Sequence, residues 1–90
     1  MLDPRTHAVR PDLADVRLAD RVFAPHYAAP VERRLSTVSL LRLDRKGDSE
    51  VLAELGAGDA FELLDVIGDT AWGVAPGRGL VGYLPVAALA

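Results

Sequence analysis

The stretch Ala60-Phe61-Glu62-Leu63-Leu64-Asp65-Val66-Ile67-Gly68-Asp69-Thr70-Ala71-Trp72-Gly73-Val74-Ala75-Pro76-Gly77-Arg78-Gly79-Leu80-Val81-Gly82-Tyr83-Leu84 decides the fold. Short apolar runs are separated by breaks of Gly, Asp and Pro, the texture of compact all-β domains. Ala60–Ile67 reads as a strand with Phe61, Leu63 and Val66 among its apolar residues, and Gly68-Asp69 ends it. Ala71–Ala75 reads as the next strand. Pro76-Gly77-Arg78-Gly79 offers glycines for the positive φ values that a tight hairpin demands, so Leu80–Leu84 pairs back.

Outward from this segment the pattern continues in both directions. Pro85–Leu89 fits one short 3-10 turn near the C-terminus. Upstream, Gly56-Ala57-Gly58-Asp59 is a turn, and Val51–Leu55 suits either a helical turn or a short strand. Asp44-Arg45-Lys46-Gly47-Asp48-Ser49 is a charged break, and Ser36–Leu43 predicts a strand in which alternation mixes with the apolar pair Leu40-Leu41. The first thirty-odd residues differ, because Pro4, Pro11, Pro25 and Pro30 forbid long regular elements. Pro11 to Val16 could open a helical turn, whose dipole its aspartates would complement; a strand-like or irregular arm is the favoured expectation. The organisation expected is an ordered or partly ordered arm over 1–35 and a barrel over 36–90.

Composition bounds the function. The ninety residues suffice for one domain, half of them hydrophobic and about a quarter charged, as in ordinary folded proteins. A net charge of −3 argues against nucleic acid, which needs Lys and Arg gathered on one face; Arg33-Arg34 and Arg45-Lys46 read as solvated loop charges. Cysteine is absent, which removes disulfides, thiolate metal sites and cysteine nucleophiles together. Met1 to Leu13 is polar, with no apolar core resembling a signal peptide, and no later segment approaches a membrane span. As written, the chain is expected to stay where it is made.

The order Leu55-Gly56-Ala57-Gly58-Asp59, strand, Gly-Asp break, Trp72, Gly-bounded hairpin, Gly82-Tyr83-Leu84-Pro85 and a closing Leu89 resembles the SH3-like pattern. The arm Ala14-Asp15-Val16-Arg17-Leu18-Ala19-Asp20-Arg21-Val22-Phe23-Ala24-Pro25-His26-Tyr27-Ala28-Ala29-Pro30 resembles the lead-in of bacterial SH3-like (SH3b) domains that precede NlpC-type murein peptidase domains. That resemblance implies a small all-β SH3-like barrel of about five or six short strands. It also implies a cell-envelope role, in which the domain helps shape the substrate site of a catalytic domain carrying Cys and His. No such catalytic domain lies within these ninety residues.

Several residues admit both a functional and a structural reading. Trp72 suits a ligand groove or partial burial in the barrel, and Gly73 beside it would admit a ligand or a backbone. Tyr83, opposite in phase to a core-facing Leu84, suits a ligand platform or edge packing. Asp48 and Glu50 in the charged loop are candidate contacts, and Tyr27 is the residue through which the arm would dock. His7 and His26 lack the convergent ligands that zinc wants, so no metal or cofactor is expected. Gly56-Ala57-Gly58 lacks the third glycine of a dinucleotide loop, since position 61 is Phe61. Ser36, Ser39 and Ser49 lie outside any Gly-x-Ser-x-Gly elbow. The carboxylates of Asp48 with Glu50, and of Glu62 with Asp65, read as solvated.

The expected function is a non-catalytic binding or targeting module. It would recognise murein peptide, or complete the cleft of an NlpC-type hydrolase domain. The alternative is a protein-interaction module binding an extended or Pro-rich peptide. Against that alternative, no aromatic lies between Leu35 and Leu43, and Ala88 stands where SH3 domains of that type carry Tyr.

Overall fold

Strands β3 (Val31–Arg34), β4 (Ser39–Arg42), β5 (Val51–Leu55), β6 (Ala60–Ile67), β7 (Thr70–Ala75) and β8 (Leu80–Pro85) form one sheet in the order β3-β6-β7-β8-β4-β5. This computed structural model describes residues 5–8, 10, 12–18, 26–45 and 49–89. All pairings in the sheet are antiparallel. A second, two-stranded sheet lies in the arm, where β1 (Ala14–Asp15) runs parallel to β2 (Tyr27–Ala28). Short 3-10 turns cover Val16–Leu18 and Val86–Ala88.

The all-β expectation holds, with the single turn near the C-terminus where it was placed. Val51–Leu55 resolves as a strand, and the expected strand at Ser36–Leu43 narrows to Ser39–Arg42. The hairpin after Ala75 turns on Gly79 at φ 66°. Two features differ from expectation. The main sheet begins before position 36, because all four residues of β3 pair in register with β6, Val31 with Leu63 through Arg34 with Ala60. The sheet also does not close into a barrel, since β3 and β5 are its two edges.

The reason for the open seam is local. The Gly56–Asp59 turn is held by the Gly56 amide donating to Asp59 Oδ2 at 2.8 Å and the Gly58 amide donating to the Leu35 carbonyl at 2.7 Å. It carries the chain from β5 to β6 and occupies Leu35, which bridges to Leu89 instead of continuing a ladder.

Alternation on β7 and β8 builds two faces. Ala71, Ala75 and Leu84 point inward and join Leu35, Leu41, Leu55, Phe61 and Ala88 in the main core. Trp72 and Val81 point outward and join Leu64 and Ala8 in a second cluster, against which Leu13, Ala28, Val74 and Tyr83 pack. On β6 a bulge between Leu63 and Asp65 inserts Leu64. Alternation from Phe61 already turns Leu64 to the outer cluster, and the bulge keeps Asp65 on that face as well, opposite Trp72.

Gly73 and Gly82 sit opposite each other in register on the inner face. A Cβ at Gly73 would lie 2.1 Å from the Glu62 carbonyl oxygen and 2.9 Å from Phe61 Cε2; at Gly82 it would lie 2.6 Å from the Arg42 carbonyl oxygen. The close approach expected beside Trp72 is therefore made by a neighbouring strand and the Phe61 ring.

Candidate functional site

The arm folds back over the outer face of β6–β7–β8, and arginine side chains fasten it. The Arg5 carbonyl accepts from the Val81 amide at 2.7 Å, and its guanidinium reaches Glu50 at 3.1 Å. Arg10 lies over the Trp72 ring at 4.5 Å from its centroid and donates to Asp65 at 2.8 Å and to Asp12 at 3.0 Å. Arg17 grips Asp15 in its own arm and donates to Glu62 at 2.8 Å. Asp15 is 3 % exposed, a buried carboxylate kept by that guanidinium and by the Arg17 backbone amide at 2.9 Å.

Charge and burial compete at these contacts. Burial opposes the Arg10 charge, yet the hydrogen bonds to Asp65 and Asp12 prevail and raise its pKa above the ordinary value. The hydrogen bond from Arg10 holds Asp12 below the usual carboxylate range. Asp15 and then Glu62 raise Arg17. Burial raises the Tyr83 phenol, against the opposing field of Arg10.

Trp72 is 2 % exposed. Of its two sequence readings, burial prevails; the face that a ligand groove would have used is filled by the arm. Tyr83 is half-buried beside it, with ring centroids 6.5 Å apart and planes tilted by 37°. Tyr27 stands in β2, 37 % exposed, and Ala8, Leu13, Ala28 and Arg10 of the arm pack against the outer face. Asp48 lies outside the described residues. Glu50 is engaged by Arg5.

One open concavity lies away from Trp72. A cleft of about 450 Å³ runs between the β4–β5 loop and the β6–β7 turn, lined by Asp44, Arg45, Ile67, Gly68, Asp69 and Thr70. The loop is braced where it meets the cleft: the Asp44 amide donates to Ser49 Oγ at 3.3 Å, and that hydroxyl donates to the Asp44 carbonyl at 3.0 Å. The Arg45 amide donates to Asp44 Oδ1 at 2.6 Å. Across the cleft the Asp69 carbonyl accepts from the Val86 amide at 2.8 Å, tying the turn to the 3-10 segment. The charges of Asp44 and Arg45 also act on the Tyr83 phenol, with opposite signs.

The sequence singled out the charged loop and Tyr83; it read Asp69 only as part of a strand-ending break and gave Thr70 no role. It also took Glu62 and Asp65 as solvated carboxylates, whereas both are partly buried and hold arm arginines. Arg10-x-Asp12 and Asp15-x-Arg17 carried a signal, since each places opposite charges two residues apart in a segment barred from long helices. Among the described residues no group of three or more His, Cys, Asp or Glu converges to hold a metal ion.

No protein-family model matches this chain, and no curated protein or solved structure matches it.

Proposed function

We propose that this chain is a non-catalytic binding module whose ligand is a short peptide bearing a free amine and carboxylates, as murein peptides do. The ligand sits in the cleft between the β4–β5 loop and the β6–β7 turn. The observation that carries this reading is the mixed charge of the cleft rim: Asp44 and Asp69 offer carboxylates, Arg45 a guanidinium, and Thr70 a hydroxyl, around the Ile67–Gly68 turn. A zwitterionic peptide suits such a rim, because charge-assisted hydrogen bonds of both polarities orient it. The resemblance to SH3-like domains of NlpC-type cell-wall hydrolases supports the same ligand class, with the module completing the substrate cleft of a separate cysteine peptidase domain.

A Pro-rich peptide is less well served. Such ligands dock on exposed aromatic walls, and Trp72 lies under the arm.

Titrating the isotope-labelled chain with a free-amine murein tripeptide tests the proposal. Amide shifts are expected at Asp44, Arg45, Gly68, Asp69, Thr70 and Tyr83, and silence there overturns it. Arg45→Ala should weaken binding roughly tenfold, about 1.4 kcal/mol, the scale of one charged hydrogen bond.

A further inference from the structure

The outer face of β6–β7–β8 is built like a receptor for a guanidinium. Trp72 supplies a flat ring under Arg10, Asp65 accepts at 2.8 Å, and Tyr83 closes one side. Acidic groups continue along the arm's path: Glu62 meets Arg17 and Glu50 meets Arg5. Only 11 % of the Arg10 side chain is exposed, so the slot is desolvated where the charge sits. A planar guanidinium stacks and donates in its plane at once, which a lysine ammonium does not do.

We propose that this face is a docking site for an extended arginine-bearing peptide, occupied in cis by the chain's own arm as a displaceable stand-in. The site is separate from the cleft between the β4–β5 loop and the β6–β7 turn and does not depend on its ligand. Three observations favour exchange over a permanent seal. The arm's strands β1 and β2 pair with each other and not with the six-stranded sheet. Among the described residues, its apolar contribution comes from Ala8, Ala28 and Leu13. The fit of Arg10 is also incomplete among the described residues, where its Nη1 is buried with no hydrogen-bond partner. A guanidinium arriving at a different angle can make the bond that the arm leaves unmade.

Trp72 is the sole tryptophan and therefore a reporter confined to the slot. The experiment uses the full chain carrying Arg10→Ala, titrated with N-acetyl-arginine amide while Trp72 emission, acrylamide quenching and amide shifts are followed. Arg10→Ala should red-shift Trp72 emission, and the arginine amide should reverse the shift and restore protection. N-acetyl-lysine amide should act at least fivefold more weakly, wild type should respond at least tenfold more weakly, and adding Asp65→Asn should abolish the response. An Arg10→Ala chain with native amide dispersion whose Trp72 ignores the probe overturns the proposal; so does equal response to both amides, or a response that survives Asp65→Asn.

Should Arg10→Ala fail to fold, Arg10→Lys keeps the charge while losing the fork. A peptide copying residues 5–18 should then displace the arm and change the Val81 amide, and no exchange at millimolar peptide overturns the reading. A wild-type dimer whose Trp72 signal depends on protein concentration would overturn it in favour of a second copy's arm.

Discussion

On the inner face of β6–β7–β8, Phe61, Ala71, Ala75 and Leu84 meet Leu35, Leu41 and Leu55. On the outer face of the same strands, Leu64, Trp72 and Val81 are covered by an arm that brings Arg10, Arg17 and Asp15 with it. The inner face is closed by the sheet's own curl and by hydrophobic burial, which is non-directional and not screened by ions. The outer face is closed by a smaller apolar contact through Ala8, Leu13 and Ala28 together with guanidinium–carboxylate bonds and one cation–π contact, which are directional and weaken where solvent reaches them. One sheet is thus sealed by shape on one side and by charge on the other. The first seal sustains the fold; the second governs what reaches Trp72.

The largest expected effects fall on the inner face. Gly73→Ala drives a methyl into the Glu62 carbonyl oxygen, a backbone atom of the paired strand that cannot yield without breaking the β6–β7 register. Loss of cooperative unfolding in denaturant is expected. Phe61→Ala should cost about 3–5 kcal/mol, a large part of the roughly 5–13 kcal/mol available to a chain of this length. If either variant were nearly neutral, the distinction between the two faces would fail.

Arg10→Ala should destabilise the chain by only about 1–2 kcal/mol, the scale of one cation–π contact with one partly exposed ion pair. Its signature should be local: red-shifted Trp72 emission and faster exchange of the Val81 amide, with the exchange of Phe61 and Leu84 unchanged. A global loss as large as that of Phe61→Ala would mean that the arm is part of the core.

The pH response sharpens the same contrast. Burial raises the folded pKa of Tyr83 above its ordinary value of 10.0, so its contribution is fully present below that value. It is lost as pH rises through the folded pKa. Phenolate absorbance should therefore show a step displaced above pH 10.0, and Tyr83→Phe should remove it. Asp12 has the opposite sign: Arg10 lowers its pKa, so its contribution is present above the ordinary carboxylate value and is lost as pH falls through the folded one. Acid should loosen Arg10 before it touches the inner core, visible as Trp72 quenching ahead of any change in far-ultraviolet dichroism.

The smallest effect is expected at the edge strand. Glu32 and Arg34 stand 3.7 Å apart with side chains 74 % and 62 % exposed. Glu32→Ala should change stability by no more than about 0.5 kcal/mol in thermal unfolding. A larger loss would show that β3 carries more of the fold than its exposure implies.

Much of the fold was legible because its cues are local. Pro76 to Gly79 demanded a hairpin, Gly68-Asp69 ended a strand, and alternation set Tyr83 opposite in phase to Leu84 without reference to the rest of the chain. Less of the site was legible. Tyr83 and the charged loop were marked by residue type, but Asp69 and Thr70 gain a role only by lying across from Asp44 and Arg45. Trp72 was ambiguous because aromaticity serves a groove and a core equally; what stands over the ring is a segment some sixty residues earlier. Glu62 and Asp65 could not be told from solvated carboxylates for the same reason. Turn chemistry and side-chain phase act over a few residues, so the sequence by itself determined the all-β class, the β6–β7–β8 succession with its hairpin, and the opposite phases of Tyr83 and Leu84. Ion pairing and closure act between residues remote in the chain. Only the tertiary structure decided that the sheet stays open, that β3 joins it, and that an arginine of the arm covers the tryptophan.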